Sequence, residues 1–368
     1  MPTFNLAYNG FNSELEVPVK DYLWFSEKFG PYATDNIDWY IDTLSNKVST
    51  HPTLCKDTVI ILNGLDFSTD ENSTWIKKLN QFAVNQSHTV ILLTGKLTDV
   101  SVDYWIDPTL GPDVWPELEF NLVRLDQFIH FANLIYDYNV KKTGRDPVKD
   151  IDYPRDKKLY WASTKDIYWR RYILKELLPY LDESLINYKC LDSCIPGDQV
   201  TQRVFDPELI NHIHSECYSI NDRVPLPYLD DEIQFEKTDI TFHLRCFMGL
   251  VIETFYESST VFFSEKLYNI IAYKQIFFYV GGYKSIEHLR NQGYYVFDNV
   301  FDLSYDSINN PGERIVAARK SFMSVMSKPI EEIKQIYNNH KTQIEHNFKL
   351  FKQDDFLDKF TSKIKECI

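Results

Sequence analysis

Residues 247–306 read FMGLVIETFYESSTVFFSEKLYNIIAYKQIFFYVGGYKSIEHLRNQGYYVFDNVFDLSYD, and the order of apolar runs and polar stops in this stretch decides the fold. Residues 260–263 form a β-branched and aromatic run that stops at Ser264, whose hydroxyl is suited to cap a helix by accepting a first-turn amide. Beyond it Leu267, Ile270 and Ile271 repeat at helical spacing. Glu265 and Lys266 then fall in the first turn, where amides are unpaired and the dipole is positive. Residues 276–280 are a continuous apolar run of strand length, closed by Gly281 and Gly282, where backbone can approach a ligand without an intervening side chain. A second helix is expected over residues 285–291, ending at Gly293, with a further strand over residues 294–297. Strand, helix, strand, helix, strand predicts a parallel sheet with helices on its faces. Ligands bind such sheets beyond the carboxyl ends of the strands, where Glu265, Lys266 and the glycine pair lie.

The same alternation recurs upstream. Residues 58–63 (TVIILN) read as a buried strand, residues 73–82 as an amphipathic stretch carrying Trp75, Ile76, Leu79 and Phe82, and residues 89–93 as a second strand. Residues 119–125 supply a third strand, and residues 127–138 a helix with Phe128, Phe131, Ala132, Ile135 and Tyr136 inward. Tyr22, Trp24, Phe25, Trp39 and Tyr40 add aromatic core material. Residues 141–156 are polar, carry two prolines and have no apolar period, as expected of a linker. Residues 158–162 then read as a strand and residues 166–180 as its helix, followed by an irregular connection over residues 181–234. A helix is expected over residues 311–326, with a last helical region from Pro329 to the end. A length of 368 residues suits two α/β domains. They are placed at residues 1–150 and 151–330, with residues 331–368 as a C-terminal helical segment packing on the first.

Charge is unevenly spread over a total of −14. Residues 1–140 hold 8 Lys and Arg against 19 Asp and Glu, residues 141–171 hold 10 against 5, and the remainder 21 against 29. An acidic chain is not a general nucleic-acid binder, yet the basic island at residues 141–171 keeps a local contact with duplex DNA in view. The six cysteines are scattered and form no disulfide framework; Cys190, Cys194, His212, His214 and Cys217 match no zinc-ligand spacing. No stretch is apolar enough to span a membrane, and the first residues have no leader-like pattern, so the expected location is the cytoplasm.

Glu265 and Lys266 within FFSEKLYNIIAYKQIFFYVGG resemble the Glu-Lys motif of fucosyltransferase-like and phage-encoded glycosyltransferases of the GT-B type. Leu289-Arg290, Gly293-Tyr294, Phe297, Tyr305-Asp306 and Arg314 follow in the order typical of that family, and Glu253 stands where it has an upstream acidic residue. The match departs at Thr254, where fucosyltransferases usually have Asn, and at Gln275-Ile276, which lack a proline. Ser-Glu-Lys alone would be an ordinary capped surface helix; the ordered set argues for more. The resemblance spans roughly residues 157–350. It implies two Rossmann-like domains facing a cleft, with a C-terminal helix crossing back to the first, and a nucleoside-diphosphate sugar as donor substrate rather than a permanently bound cofactor.

On that reading the ribose hydroxyls fall to Glu265, because a carboxylate accepts from two of them. The diphosphate falls to Lys266 and to Arg170 or Arg171, in the helix after the short loop at residues 163–165, with the Ser264 helix start adding to the field. Glu253 orients the sugar or shares the charge of Lys266. Protein cations at the leaving phosphate replace a divalent metal, and the lone Asp-X-Asp, Asp150 to Asp152, falls in the polar linker. Asp66 and Asp99, each just after an expected strand of the first domain, are the candidate general bases. The acceptors considered are a hydroxymethylated base such as 5-hydroxymethylcytosine in phage DNA, favoured, and a surface polysaccharide; host cytoplasm would be the setting for a phage enzyme. A non-catalytic partner-binding protein on the same fold is the third possibility.

Overall fold

A computed structural model describes residues 3–8, 11–16, 21–25, 45–46, 49, 58–63, 81–84, 89–94, 121–144, 154–163, 168–188, 240–253, 256, 261–353 and 355–367. The chain divides into two units: one comprises Met1–Phe131, Ser258–Phe262 and Asp354–Ile368, the other Ala132–Glu257 and Phe263–Gln353.

In the first unit, β1 (Thr3–Tyr8) and β2 (Phe11–Glu16) pair antiparallel. Strands β3 (Asp21–Phe25), β4 (Thr58–Asn63), β5 (Thr89–Thr94) and β6 (Asn121–Arg124) form a wholly parallel sheet in sequence order. Ile60, Val90, Ile91 and Val123 are buried in it, which explains the apolar runs that marked these strands. The helix α1 (Gln127–Thr143) starts where it does because Asp126 Oδ1 accepts from the amides of Phe128 and Ile129, at 3.1 and 3.4 Å. The division between the units falls within this helix, after Phe131.

The second unit is built on β7 (Lys157–Ser163), β8 (Ser184–Tyr188), β9 (Cys246–Ile252) and β10 (Ile276–Val280). They pair parallel in the order β10-β9-β7-β8. The chain therefore adds β8 on one side of β7 and returns to add β9 on the other, so the winding reverses between β7 and β9. Every residue of β9 and β10 is buried, as expected of strands covered on both faces. Among the described residues this unit also holds the helices α2 (Tyr168–Leu177), α3 (Ile240–Arg245), α4 (Glu265–Ala272), α5 (Ser285–Asn291), α6 (Pro311–Met326), α7 (Ile330–Asn339) and α8 (Lys341–Lys352). The last helix, α9 (Phe356–Cys367), belongs to the first unit, where it packs beside β6 and Phe356 stacks on His130. Gly249 in β9 is required by the close approach of α4, since a Cβ there would overlap the Ile270 side chain.

Several sequence expectations shift in the folded chain. The connection after α2 tightens into a 3-10 turn at Leu178–Glu183 and then enters β8, so the stretch read as irregular contains an edge strand. Residues 294–297 are not a strand. Asn347 replaces a neighbouring strand there: its Oδ1 accepts from the Tyr295 amide at 2.7 Å and its Nδ2 donates to the Tyr295 carbonyl at 2.8 Å. Phe297 then turns the chain with a φ of 59°. Residues 261–263 likewise approach Ser264 without joining a sheet. The expected linker is shorter at both ends. Its first residues, Lys141 to Thr143, complete α1, and Arg155 is buried, donating to the carbonyls of His243, Cys246, Tyr273 and Lys274. The C-terminal helical region is three helices, with Pro329 capping the first and His340 between the first two. No described helix is long and apolar enough to cross a membrane.

Candidate functional site

The carboxyl ends of β7, β9 and β10 bring Ser163, Ile252, Glu253, Gly281 and Gly282 to one end of the second unit's sheet. Glu253 ties two of these ends together, its amide donating to the Val280 carbonyl at 2.9 Å. Its side chain turns inward: the residue is 2 % exposed, and Oε1 accepts from the Ser264 amide at 2.9 Å. Burial pushes the Glu253 carboxyl above its ordinary value, while the nearby Lys266 ammonium and the Ser264 amide pull it back.

Ser264 has extended backbone and caps α4, its Oγ accepting from the Lys266 amide. That cap places Glu265 and Lys266 in the helix's first turn, where Lys266 Nζ lies 2.8 Å from Glu265 Oε1. The Glu265 side chain is mostly buried and that of Lys266 somewhat less. An acidic and a basic group are thus held side by side at a helix start, next to the strand ends. Gly281 is needed there because the Tyr279 ring occupies the space a Cβ would take. The Gly282 carbonyl accepts from Ser285 Oγ at 2.7 Å, and so helps set the start of α5.

The downstream residues of the sequence pattern frame this end of the sheet. Asp306 accepts from the amides of Ile286 and Glu287, at 3.0 and 2.9 Å, capping α5 from the far end of the stretch. Burial raises its carboxyl above the usual range, opposed by those two amides and by Arg314. Tyr305 donates its hydroxyl to the Tyr279 carbonyl at 2.7 Å. Arg314, buried, donates to the carbonyls of Ile308, Asn309 and Tyr256 and lies over the Tyr256 ring.

Arg170 sits in the first turn of α2, as its sequence position implies, with its guanidinium turned onto the protein. Nε and Nη2 both donate to the Ile252 carbonyl, at 3.2 and 2.7 Å, and Nη1 donates to Ser163 Oγ at 3.0 Å. The residue is 1 % exposed. Much of the basic island is similarly committed. Arg155 is buried, Lys158 is buried and paired with Glu183, and Lys157 donates to the Asp182 carbonyl. Lys141 and Lys142 are exposed on the last turn of α1. The Arg171 side chain, Asp66, Asp99, the Asp150 to Asp152 pair and the Cys190 to Cys217 cluster lie outside the described residues. Among the described residues, no group of three His, Cys, Asp or Glu is arranged to hold a metal ion.

The helix cap expected at Ser264, with Glu265 and Lys266 in the first turn, is present in the fold. Sequence reasoning missed that Glu253 holds the Ser264 amide and that Ser163 and Ile252 share Arg170. The available signal was a charged residue directly after a fully apolar strand, at Glu253, and a serine closing another, at Ser163. Chemically, the arrangement sets a carboxylate, a group that accepts from hydroxyls, beside an ammonium, a group that holds an anion, at the start of a helix.

No protein-family model matches the chain, and no curated protein matches it. Among solved structures, a UDP-forming α,α-trehalose-phosphate synthase from Burkholderia vietnamiensis is similar over 92% of this chain and 81% of its own, at 11% identity and a TM-score of 0.47. The corresponding UDP-forming enzyme from Burkholderia xenovorans covers 92% and 80% at 10% identity and a TM-score of 0.45. An α,α-trehalose 6-phosphate synthase from Burkholderia multivorans covers 92% and 77%, at 10% identity and a TM-score of 0.44.

Proposed function

We propose that the chain is a glycosyltransferase that binds a nucleoside-diphosphate sugar at the carboxyl ends of β9 and β10 and moves the sugar to an acceptor hydroxyl. The observation that carries this reading is the Glu265–Lys266 pair on the Ser264 cap, 2.8 Å apart, beside a sheet whose winding reverses. Such a ligand presents an anion and a pair of hydroxyl donors on one scaffold. The diphosphate draws Lys266 off Glu265, and the released carboxylate accepts from the ribose hydroxyls. Bare phosphate satisfies Lys266 alone and leaves a mostly buried carboxylate without that compensation. Negative charge builds on the leaving diphosphate in the transition state, and Lys266 with the first-turn amides of α4 is placed to stabilise it. Glu253, behind the cap, holds the turn in place. The general base comes from elsewhere in the chain, with Asp66 and Asp99 retained as candidates. For the acceptor, a hydroxymethylated DNA base draws support from the exposed Lys141 and Lys142 alone among the described cations of the island whose side chains are placed, so salt-sensitive duplex binding is its specific test.

Thermal stabilisation across a panel of nucleoside diphosphates and nucleotide sugars tests the donor site. A ligand at about a hundred times its dissociation constant adds roughly 2.7 kcal/mol. One base should be selected, the 2′,3′-dideoxy form should bind at least about tenfold more weakly, and Glu265→Ala should abolish the shift. A folded protein that no nucleotide stabilises would turn the reading to a partner-binding protein on this fold.

A further inference from the structure

The ladder between β7 and β9 runs from Lys157↔Cys246 to Tyr160↔Gly249, and both strands continue past it, to Ser163 and Ile252. The Arg170 guanidinium joins those two ends, taking the Ile252 carbonyl with two N–H groups and Ser163 Oγ with a third. Ile252 is followed by Glu253, whose carboxylate holds the Ser264 amide, and Ser264 in turn caps the turn that carries Glu265 and Lys266. A single line of hydrogen bonds thus runs from β7 through Arg170 to the first turn of α4.

We infer that Arg170 is a positioning residue for the donor site: by clamping Ile252 to Ser163 across the reversal point, it sets where Glu253 holds the Ser264 turn, and hence where Glu265 and Lys266 meet the nucleotide. The inference rests on the proposed donor site and assigns Arg170 no contact with the diphosphate. A planar fork suits this task because it can grip one carbonyl with two donors and still reach a hydroxyl on the neighbouring strand; an ammonium at the same place is a single point charge. Burial makes the arrangement stiff, since each acceptor that lost its donor would stay out of water.

Positioning and direct phosphate contact differ in what they do to a ligand without phosphates. If Arg170 acts through the α4 turn, the ribose contact of Glu265 and the phosphate contact of Lys266 shift together. Affinities of wild type and Arg170→Lys are therefore compared for uridine and UDP, with guanosine and GDP in parallel. The expected result is that the nucleoside weakens about tenfold or more and the diphosphate by at least as much, since it makes both contacts. Loss confined to the diphosphates, or no change in either, overturns the inference. Ser163→Ala removes one end of the clamp with little risk to folding and should weaken the nucleoside as well as the diphosphate, and Ser163→Thr, which restores a hydroxyl, should recover most of that loss. Loss confined to the diphosphates, or no recovery, counts against the clamp. Wild type that binds none of the four ligands fails the donor reading itself and the inference with it, whereas wild-type binding unaltered in all these variants fails the inference alone.

Discussion

The two four-stranded sheets among the described residues are both parallel, yet they are wound differently. In the first unit β3, β4, β5 and β6 lie in sequence order, so each strand is laid beside the one before it. In the second unit the order β10-β9-β7-β8 reverses between β7 and β9. At a reversal the connections leave in opposite directions, and a crevice opens at the carboxyl ends. At that end of the second sheet Arg170 is buried on Ile252 and Ser163, and Glu253 on Ser264. Charge of this kind is costly to bury and is kept where its geometry is used.

The sharpest way to break the contrast is at Arg155, which fastens the amino ends of the second sheet through the carbonyls of His243, Cys246, Tyr273 and Lys274. Arg155→Leu removes one donor from each of these carbonyls, leaving those of His243 and Cys246 to Gln275 Nε2 and that of Lys274 to the Tyr337 hydroxyl, and is expected to cost about 3 kcal/mol. Hydrogen exchange should show protection lost in β7, β9 and β10 and retained in β4 and β5. Equal loss in both sheets would mean that the two units unfold as one and that the comparison describes topology without independent stability.

A smaller effect follows from His243, which is fully buried between the rings of Tyr160 and Tyr273 and hydrogen-bonded to Gln275. Burial depresses its pKa from 6.5 to about 3. In the unfolded chain the imidazole takes up a proton below about 6.5, while in the folded unit it stays neutral, so stability is full above that pH and falls as the pH drops toward 3. The slope approaches about 1.4 kcal/mol per pH unit from this one group. His243→Asn should flatten that part of the curve for the second unit, and denaturant titrations across the window read it directly. An unchanged slope would show that acid sensitivity arises elsewhere.

The smallest expected change is at the Ser264 cap. Ser264→Ala removes one acceptor for the Lys266 amide and should lower stability by about 1 kcal/mol. Nucleotide affinity should fall by more than that stability loss alone would give, because the turn carrying Glu265 and Lys266 loosens. A loss of stability with unchanged affinity would leave Ser264 an ordinary helix cap.

Much of this was legible in the sequence. The runs at residues 58–63, 89–93 and 276–280 became β4, β5 and β10; β10 is buried along its whole length, and a strand covered on both faces needs unbroken apolar residues. Ser264 capped α4 and Pro311 opened α6 for reasons local to a single turn of helix. The strand expected at residues 294–297 failed for a reason no local pattern carries, since its partner is the side chain of Asn347, far along the chain. β8 went unseen because it is a short edge strand of mixed polarity.

The sequence by itself determined the alternation of strands and helices, the cap at Ser264, and therefore the side-by-side placement of Glu265 and Lys266; all are set within a few residues by periodicity and unpaired helix amides. Only the tertiary structure decided which strands are neighbours, where the winding reverses, and that Arg170 and Glu253 spend their charges inside the protein. The Arg170–Ile252 pair joins groups 82 residues apart in a buried environment, where the cost of an unpaired charge selects its partner; Glu253 and Ser264 lie only 11 residues apart, but no helical or strand period relates them and only the packing brings them together.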